Sequence, residues 1–123
     1  MRGTGCWNQL RTSIVCSWSF EWEQGRGYRA SWTQLAGMTV ARSMHGCVAL
    51  DGKLYAVGGA GATHHALDTA EVYDPQADGW QPLAKMSTAR YALGLAAVGG
   101  KVYAMGGMDD GDSILESVEA YDP

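Results

Sequence analysis

A chain of 123 residues has room for one small domain, and a formal net charge of −4 leaves no surplus of Lys and Arg to meet nucleic-acid phosphates. Hydrophobic residues at 46% exclude compositional disorder, while 17 glycines beside five Trp and six Tyr point to short strands and tight turns instead of helices. No apolar run approaches the roughly 20 residues of a membrane helix, so neither nucleic acid nor membrane is expected as a partner.

Residues 1–31 open the chain as a non-repeat segment, expected to be irregular, with Trp7, Trp18 and Trp22 scattered through it. Ile14-Val15-Cys16 is too short an apolar stretch for a signal peptide and runs on into Glu21 and Glu23. The three cysteines, Cys6, Cys16 and Cys47, are odd in number and irregularly spaced, which is not the pattern of a disulfide framework. They fit a reducing compartment and a cytoplasmic location, with Cys47 a small core residue.

From Trp32 onward the sequence repeats itself. Trp32 recurs as Trp80, Arg42 as Arg90, Gly52 as Gly100, Tyr55 as Tyr103 and Gly58-Gly59 as Gly106-Gly107. Glu71 recurs as Glu119, and Tyr73-Asp74-Pro75 as Tyr121-Asp122-Pro123. Every offset is 48, and laying residues 32–75 on 80–123 without a gap gives 19 identities in 44 positions. A fixed period in this range marks a repeat architecture. The units are residues 32–79 and 80–123, the second incomplete.

Taken in chain order, each unit reads as strands joined by tight turns. Residues 32–35 stand where a fourth strand stands one repeat later. Residues 46–50 and 53–57 are apolar runs on either side of Asp51-Gly52, a two-residue hairpin signal because such turns need positive φ; Gly99-Gly100 serves the same geometry in the second unit. Ala49-Leu50 and residues 54–57 are apolar on both faces, as expected of strands buried between stacked sheets. Gly58-Gly59 ends the second strand, and residues 60–68 form a variable polar loop. A third strand at 69–74 is stopped by Pro75, which lacks a donor for the ladder. Residues 76–79 turn, and 80–83 form a fourth strand with Pro82 at a sheet edge.

The double glycines, the Tyr73 and Tyr121 positions, the following Trp80, the run Glu-x-Tyr-Asp-Pro at 71–75 and 119–123, and Met-x-x-x-Arg at 38–42 and 86–90 together resemble the kelch repeat family, and kelch-like proteins in particular. The resemblance covers residues 32–123. It implies an all-β fold: a partial β-propeller of about two four-stranded antiparallel blades, not a closed ring. It also implies that the shared residues are structural, with Trp and Tyr filling the wedge between blades. The joint recurrence of Arg42 and Arg90 with Glu71 and Glu119 points to a pairing inside each blade. Residues 1–31 do not continue the register, and the chain reads as a fragment or truncated product of a longer protein.

Other chemistry is thin. His64-His65 are adjacent on an extended loop, so they point to opposite sides, and no ligand-spaced Cys or carboxylate joins them. Asp109-Asp110-Gly111-Asp112 lacks the spacing of a calcium loop. Gly58-Gly59-Ala60-Gly61 opens no helix to hold a phosphate. No catalytic set is assembled, and neither a cofactor nor a metal is expected. His45 stands where the second unit has Leu93, which argues for packing.

The expected role is a protein-interaction module, because loop positions vary between the units while the scaffold holds. The resemblance implies that partners meet the loops after the double glycine and those near Met-x-x-x-Arg. Here these supply Thr63, His64 and His65, Asp109, Asp110 and Asp112, and Ser43, Met44 and Tyr91. The partner is then a peptide or loop of a substrate protein, recruited for a cullin-based ubiquitin ligase if a longer parent chain carries the adaptor domain. Actin binding, an enzyme built on a kelch propeller and a non-functional truncated product are the alternative readings.

Overall fold

The computed structural model describes residues 31–123 in full and, before them, the backbone of four strands at 2–7, 14–19, 21–23 and 27–29. These four are β1 (Arg2–Trp7) and β2 (Ile14–Ser19), an antiparallel pair, and β3 (Glu21–Glu23) and β4 (Gly27–Arg29), another.

The first repeat forms one four-stranded antiparallel sheet. Its strands are β5 (Gly46–Leu50), β6 (Lys53–Val57), β7 (Ala70–Asp74) and β8 (Gly79–Pro82), in that order. The second repeat forms a three-stranded sheet of β9 (Gly94–Val98), β10 (Lys101–Met105) and β11 (Val118–Tyr121). The sheets are open, the fold is all-β among the described residues, and the expected partial propeller of two blades is present.

The turn chemistry is as read. Asp51 and Gly52 have φ of 50° and 75°, and Gly99 and Gly100 have 57° and 78°, so both hairpins use the doubly left-handed turn. β7 ends at Asp74, before Pro75, and β8 carries Pro82 on the sheet edge. Residues 32–35 differ from expectation. They form no strand; Thr33 makes an isolated bridge, and Trp32 is 69% exposed whereas Trp80 is 9% exposed. Trp80, by contrast, lies on β8 against the edge of β7, with its ring 5.3 Å from that of Tyr73.

Two apolar clusters follow from the two faces of the first sheet. Leu54, Ala56, Tyr73 and Trp80 occupy one face and are covered by Leu35, Ala36 and Met38 of the connector ahead of β5. The connector is tied down by the Trp80 indole, which donates to the Ala36 carbonyl at 2.8 Å, and by Asp78, whose Oδ1 accepts from the Ala36 amide and the Tyr73 hydroxyl. Burial and Asp78 together push the Tyr73 phenol up to about 12.

The opposite face carries Tyr55, Val57 and Ala70, which meet Val102 and Ala104 of the second sheet, with Leu83 and Met86 of the intervening connector between them. Val102, Ala104, Leu83 and Met86 are the 48-residue counterparts of Leu54, Ala56, Leu35 and Met38. One repeating rule therefore builds both clusters: each connector covers the same face of the sheet that follows it. The sheets approach closely. A Cβ on Gly46 would stand 2.7 Å from Leu95 Cβ, so glycine is required at that crossing.

Cys47, on β5, is disulfide-bonded. The expectation that it is a plain core thiol is corrected accordingly.

Candidate protein-interaction surface

The strand registers place the loops. Asp51-Gly52 joins β5 to β6 at one end of the sheet, while Gly46 pairs Val57 and Val57 pairs Ala70 at the other. Residues 43–45 and 58–69 therefore emerge at one end of the first blade, and residues 91–93 and 106–117 at the matching end of the second.

A repeated ionic clamp supports this end. Arg42 is buried and its Nη1 donates to the carbonyls of Gly58 and Thr69, both at 2.9 Å, while Nη2 reaches Glu71 Oε2 at 2.9 Å. Glu71 Oε1 accepts from the Thr39 amide at 2.9 Å and its hydroxyl at 2.5 Å, and Oε2 accepts from the Val40 amide. One ion pair thus satisfies the backbone of connector, loop entry and third strand together. Arg90 repeats the pattern with Gly106, Ser117 and Glu119, and Glu119 accepts from Ser87 and Thr88. The pairing inferred from joint recurrence holds in both blades.

Burial raises the Glu71 carboxyl, but the Thr39 hydroxyl and amide and the Arg42 guanidinium outweigh it, and the net result lies below the ordinary value of 4.5. Burial, followed by the Arg42 charge, lowers His45 from 6.5. The signs give two steps. The unfolded chain protonates His45 first, so stability is lost as pH falls through about 6.5; the Glu71 contribution is full above 4.5 and is lost as pH falls through the depressed folded value. A pH series of thermal melts is expected to show both declines, and His45→Leu to remove the earlier one. A melting temperature flat from neutral pH to pH 5 in the unsubstituted chain contradicts this.

On that base the double glycines bring blades and loops into close contact. Gly59 has φ of 96°, and its amide donates to the Arg90 carbonyl of the next blade's connector at 2.8 Å. A Cβ there would stand 2.4 Å from the Ser43 carbonyl oxygen; Gly107 repeats this against the Tyr91 carbonyl oxygen, also at 2.4 Å. Ser43 forms a bridge with Ala60, and Tyr91 with Met108. Met44 is exposed, has φ of 50° and accepts through its carbonyl from the Ala92 amide, so the two strand-entry segments touch across the blades.

The nine residues expected at a partner site separate into two groups. Thr63, His64 and His65 are exposed at the tip of the first loop. Asp110 crosses to that loop: its Oδ1 accepts from the Ala66 amide at 2.5 Å and stands 3.7 Å from His65 Nδ1. Tyr91 donates to Asp112 and lies 3.7 Å from Met108 Sδ; the bond to Asp112, more than desolvation, holds the phenol above its ordinary value. Asp109 turns inward, accepting from the Gly111 and Ser113 amides at 2.9 and 3.0 Å, and shapes its loop. His65 thus stands beside Asp110 and Tyr91 beside Asp112, at the same end of the blades as Ser43 and Met44, while Asp109 shapes its own loop. Ile114 was not anticipated there; it is 87% exposed at the base of the acidic loop and pairs with Met108. Its only sequence signal was an apolar residue replacing Ala66 at the 48-residue offset.

The family model for the Kelch motif matches residues 41–87 and again 89–123. The chain belongs to the kelch-repeat family. Among curated relatives of this kelch chain, an F-box/kelch-repeat protein of Arabidopsis thaliana is 46% identical over 46 residues, covering 37% of the chain and 12% of that protein. Kelch-like protein 33 of Homo sapiens is 42% identical over 60 residues, covering 47% of the chain and 10% of that protein. The chain thus spans about a tenth of the length of the curated relatives it matches. Of solved structures, that of YjhT aligns with 87% of the kelch chain and 34% of its own, at a TM-score of 0.66 and 18% identity, a likeness of fold alone.

Proposed function

We propose that the loop end of the two blades is a binding surface for a peptide or exposed loop of another protein, and that the chain acts by binding, not by catalysis. The observation that carries this reading is the division of labour between the repeats. Arg42/Arg90, Glu71/Glu119 and the double glycines recur with the same contacts, while the residues they hold up differ: Thr63, His64 and His65 in one loop, Gly111, Asp112 and Ser113 in the other. A scaffold held constant under changing loops is the pattern expected of recognition. Tyr91 and Met44 offer apolar contact, and Asp110 and Asp112 offer acceptors for a basic or amide-rich segment.

Relatives named as F-box/kelch-repeat and Kelch-like proteins support a finer reading, in which this surface recruits a substrate for a cullin-based ubiquitin ligase within a longer protein. No observation of this surface favours actin over another protein.

Photo-crosslinking tests the reading. A photoreactive residue at His65 or Asp112 is expected to give adducts with a defined peptide of a partner protein, and one at Lys53, by the hairpin turn at the other end of the blade, to give none. Tyr91→Ala is expected to weaken capture about tenfold. Equal crosslinking from both ends overturns the reading.

A further inference from the structure

The scaffold of the two blades repeats, but one contact between their loops does not. After each double glycine the loop folds back on itself through an antiparallel bridge, Ala60 with Ala66 and Met108 with Ile114. In the first loop the Leu67 amide donates to the Gly59 carbonyl at 2.8 Å, and the Gly61 amide to the His65 carbonyl at 2.9 Å. Those bonds flank the bridge, so the Ala66 amide between them points away from Ala60. Asp110 of the second loop takes it, its Oδ1 accepting at 2.5 Å.

The repeat offset marks this bond as an addition to the scaffold. The residue 48 positions before Asp110 is Ala62, whose side chain has no acceptor. The clamp of Arg, Glu and double glycine is common to both units, whereas the Asp110 carboxylate serves this one junction. Each loop is also braced within its own blade. The His64 amide donates to the Gly61 carbonyl in the first, and Asp109 accepts from the Gly111 and Ser113 amides in the second.

Magnitudes decide what the junction does. The side chains of His65 and Asp110 are 74% and 55% exposed, so their charge contact adds little to stability. At 3.7 Å the His65 Nδ1 is also beyond hydrogen-bonding distance, which leaves the Ala66 amide bond to hold the loop. A bond that contributes little to folding and joins two variable loops acts on their placement.

We propose that Asp110 is a positioning residue: it fixes residues 63–66 of the first loop against the second loop, so that a partner segment meets both loops as one element of set spacing. The proposal rests on the reading of this end as a peptide-binding surface.

Amide exchange with water, measured by NMR on the full chain, tests it. In Asp110→Ala the Ala66 amide exchanges several-fold faster, while the Gly61 and Leu67 amides and the melting temperature stay as they were. Asp110→Asn keeps an acceptor oxygen and restores slow exchange at Ala66. A photoreactive residue at His65 gives several-fold fewer adducts in Asp110→Ala and recovers them in Asp110→Asn. An Ala66 amide indifferent to Asp110→Ala overturns the proposal, and so does faster exchange with an unchanged adduct yield. If Ala66 responds as expected but the unsubstituted chain gives no adducts, the peptide-binding reading fails and the placement of the loop by Asp110 stands.

Discussion

Replacing Glu71 by Ala is expected to lower the unfolding free energy by about 3–5 kcal/mol in a denaturant titration, because it strands a buried guanidinium without its counter-charge. Arg42 and Glu71 have side chains 0% and 2% exposed, so water cannot take the place of the missing carboxylate. The loss also removes the acceptor for the Thr39 amide and hydroxyl and the Val40 amide, loosening the connector that covers Leu54, Ala56 and Tyr73. The second blade supplies an internal comparison. Arg90 is as buried as Arg42, but Glu119 is 23% exposed, so water can reach the pair at the carboxylate. Glu119→Ala is therefore expected to cost distinctly less than Glu71→Ala. Equal effects would show that solvent access at the pair does not set its contribution.

Gly59→Ala is expected to be the most damaging of the glycine substitutions, with Gly52→Ala as its control. Both positions have positive φ, which costs an L-residue roughly 1–2 kcal/mol by itself. At Gly52 the new Cβ meets nothing within 4 Å, so that cost is the whole effect. At Gly59 the Cβ would lie 2.4 Å from the Ser43 carbonyl oxygen and 2.8 Å from His45 Cβ. Backbone must move, and the movement breaks the Gly59 amide bond to Arg90 that ties the blades together. The loss should exceed that of Gly52→Ala by about 1–3 kcal/mol and should also displace Met44 and Tyr91, so binding at the loop end falls with stability. For Gly52→Ala, at the opposite end, partner binding should be unchanged.

Much of this architecture was legible because the repeat exposes its own rules. Positions where glycine, Arg, Glu and Tyr recur in phase are those with demands that few residues meet: a doubly left-handed turn at Asp51-Gly52, a close approach at Gly59, a buried ion pair at Arg42 and Glu71. Identity across an offset of 48 reports such demands without any coordinates. Which face of each sheet meets the next blade was not legible. Leu54, Tyr55, Ala56 and Val57 are all apolar, and alternation carries no direction when both faces are buried. Trp32 shows a different limit. Leu and Ala follow it at the same spacing as they follow Trp80, yet residues 32–35 form only the isolated bridge at Thr33, whereas Trp80 lies in a strand paired with β7. The loop surface was legible as a set of variable positions, but not as a geometry. Asp110 meets Ala66 across 44 residues, and Asp109 folds back on its own loop, distinctions that depend on how the blades stack. The oxidised state of Cys47 had no signal in an odd, irregular set of three cysteines.

The central claim is that the two repeats are one structural unit used twice, stacked so that the Tyr55–Val57 face of the first lies on the Val102–Ala104 face of the second. Nuclear Overhauser measurements on the chain read this stacking most directly. Contacts are expected between Gly46 and the Leu95 methyl groups, and between Leu83 or Met86 and both Tyr55 and Val102. Cross-peaks confined within each repeat, with none between them, would contradict the account.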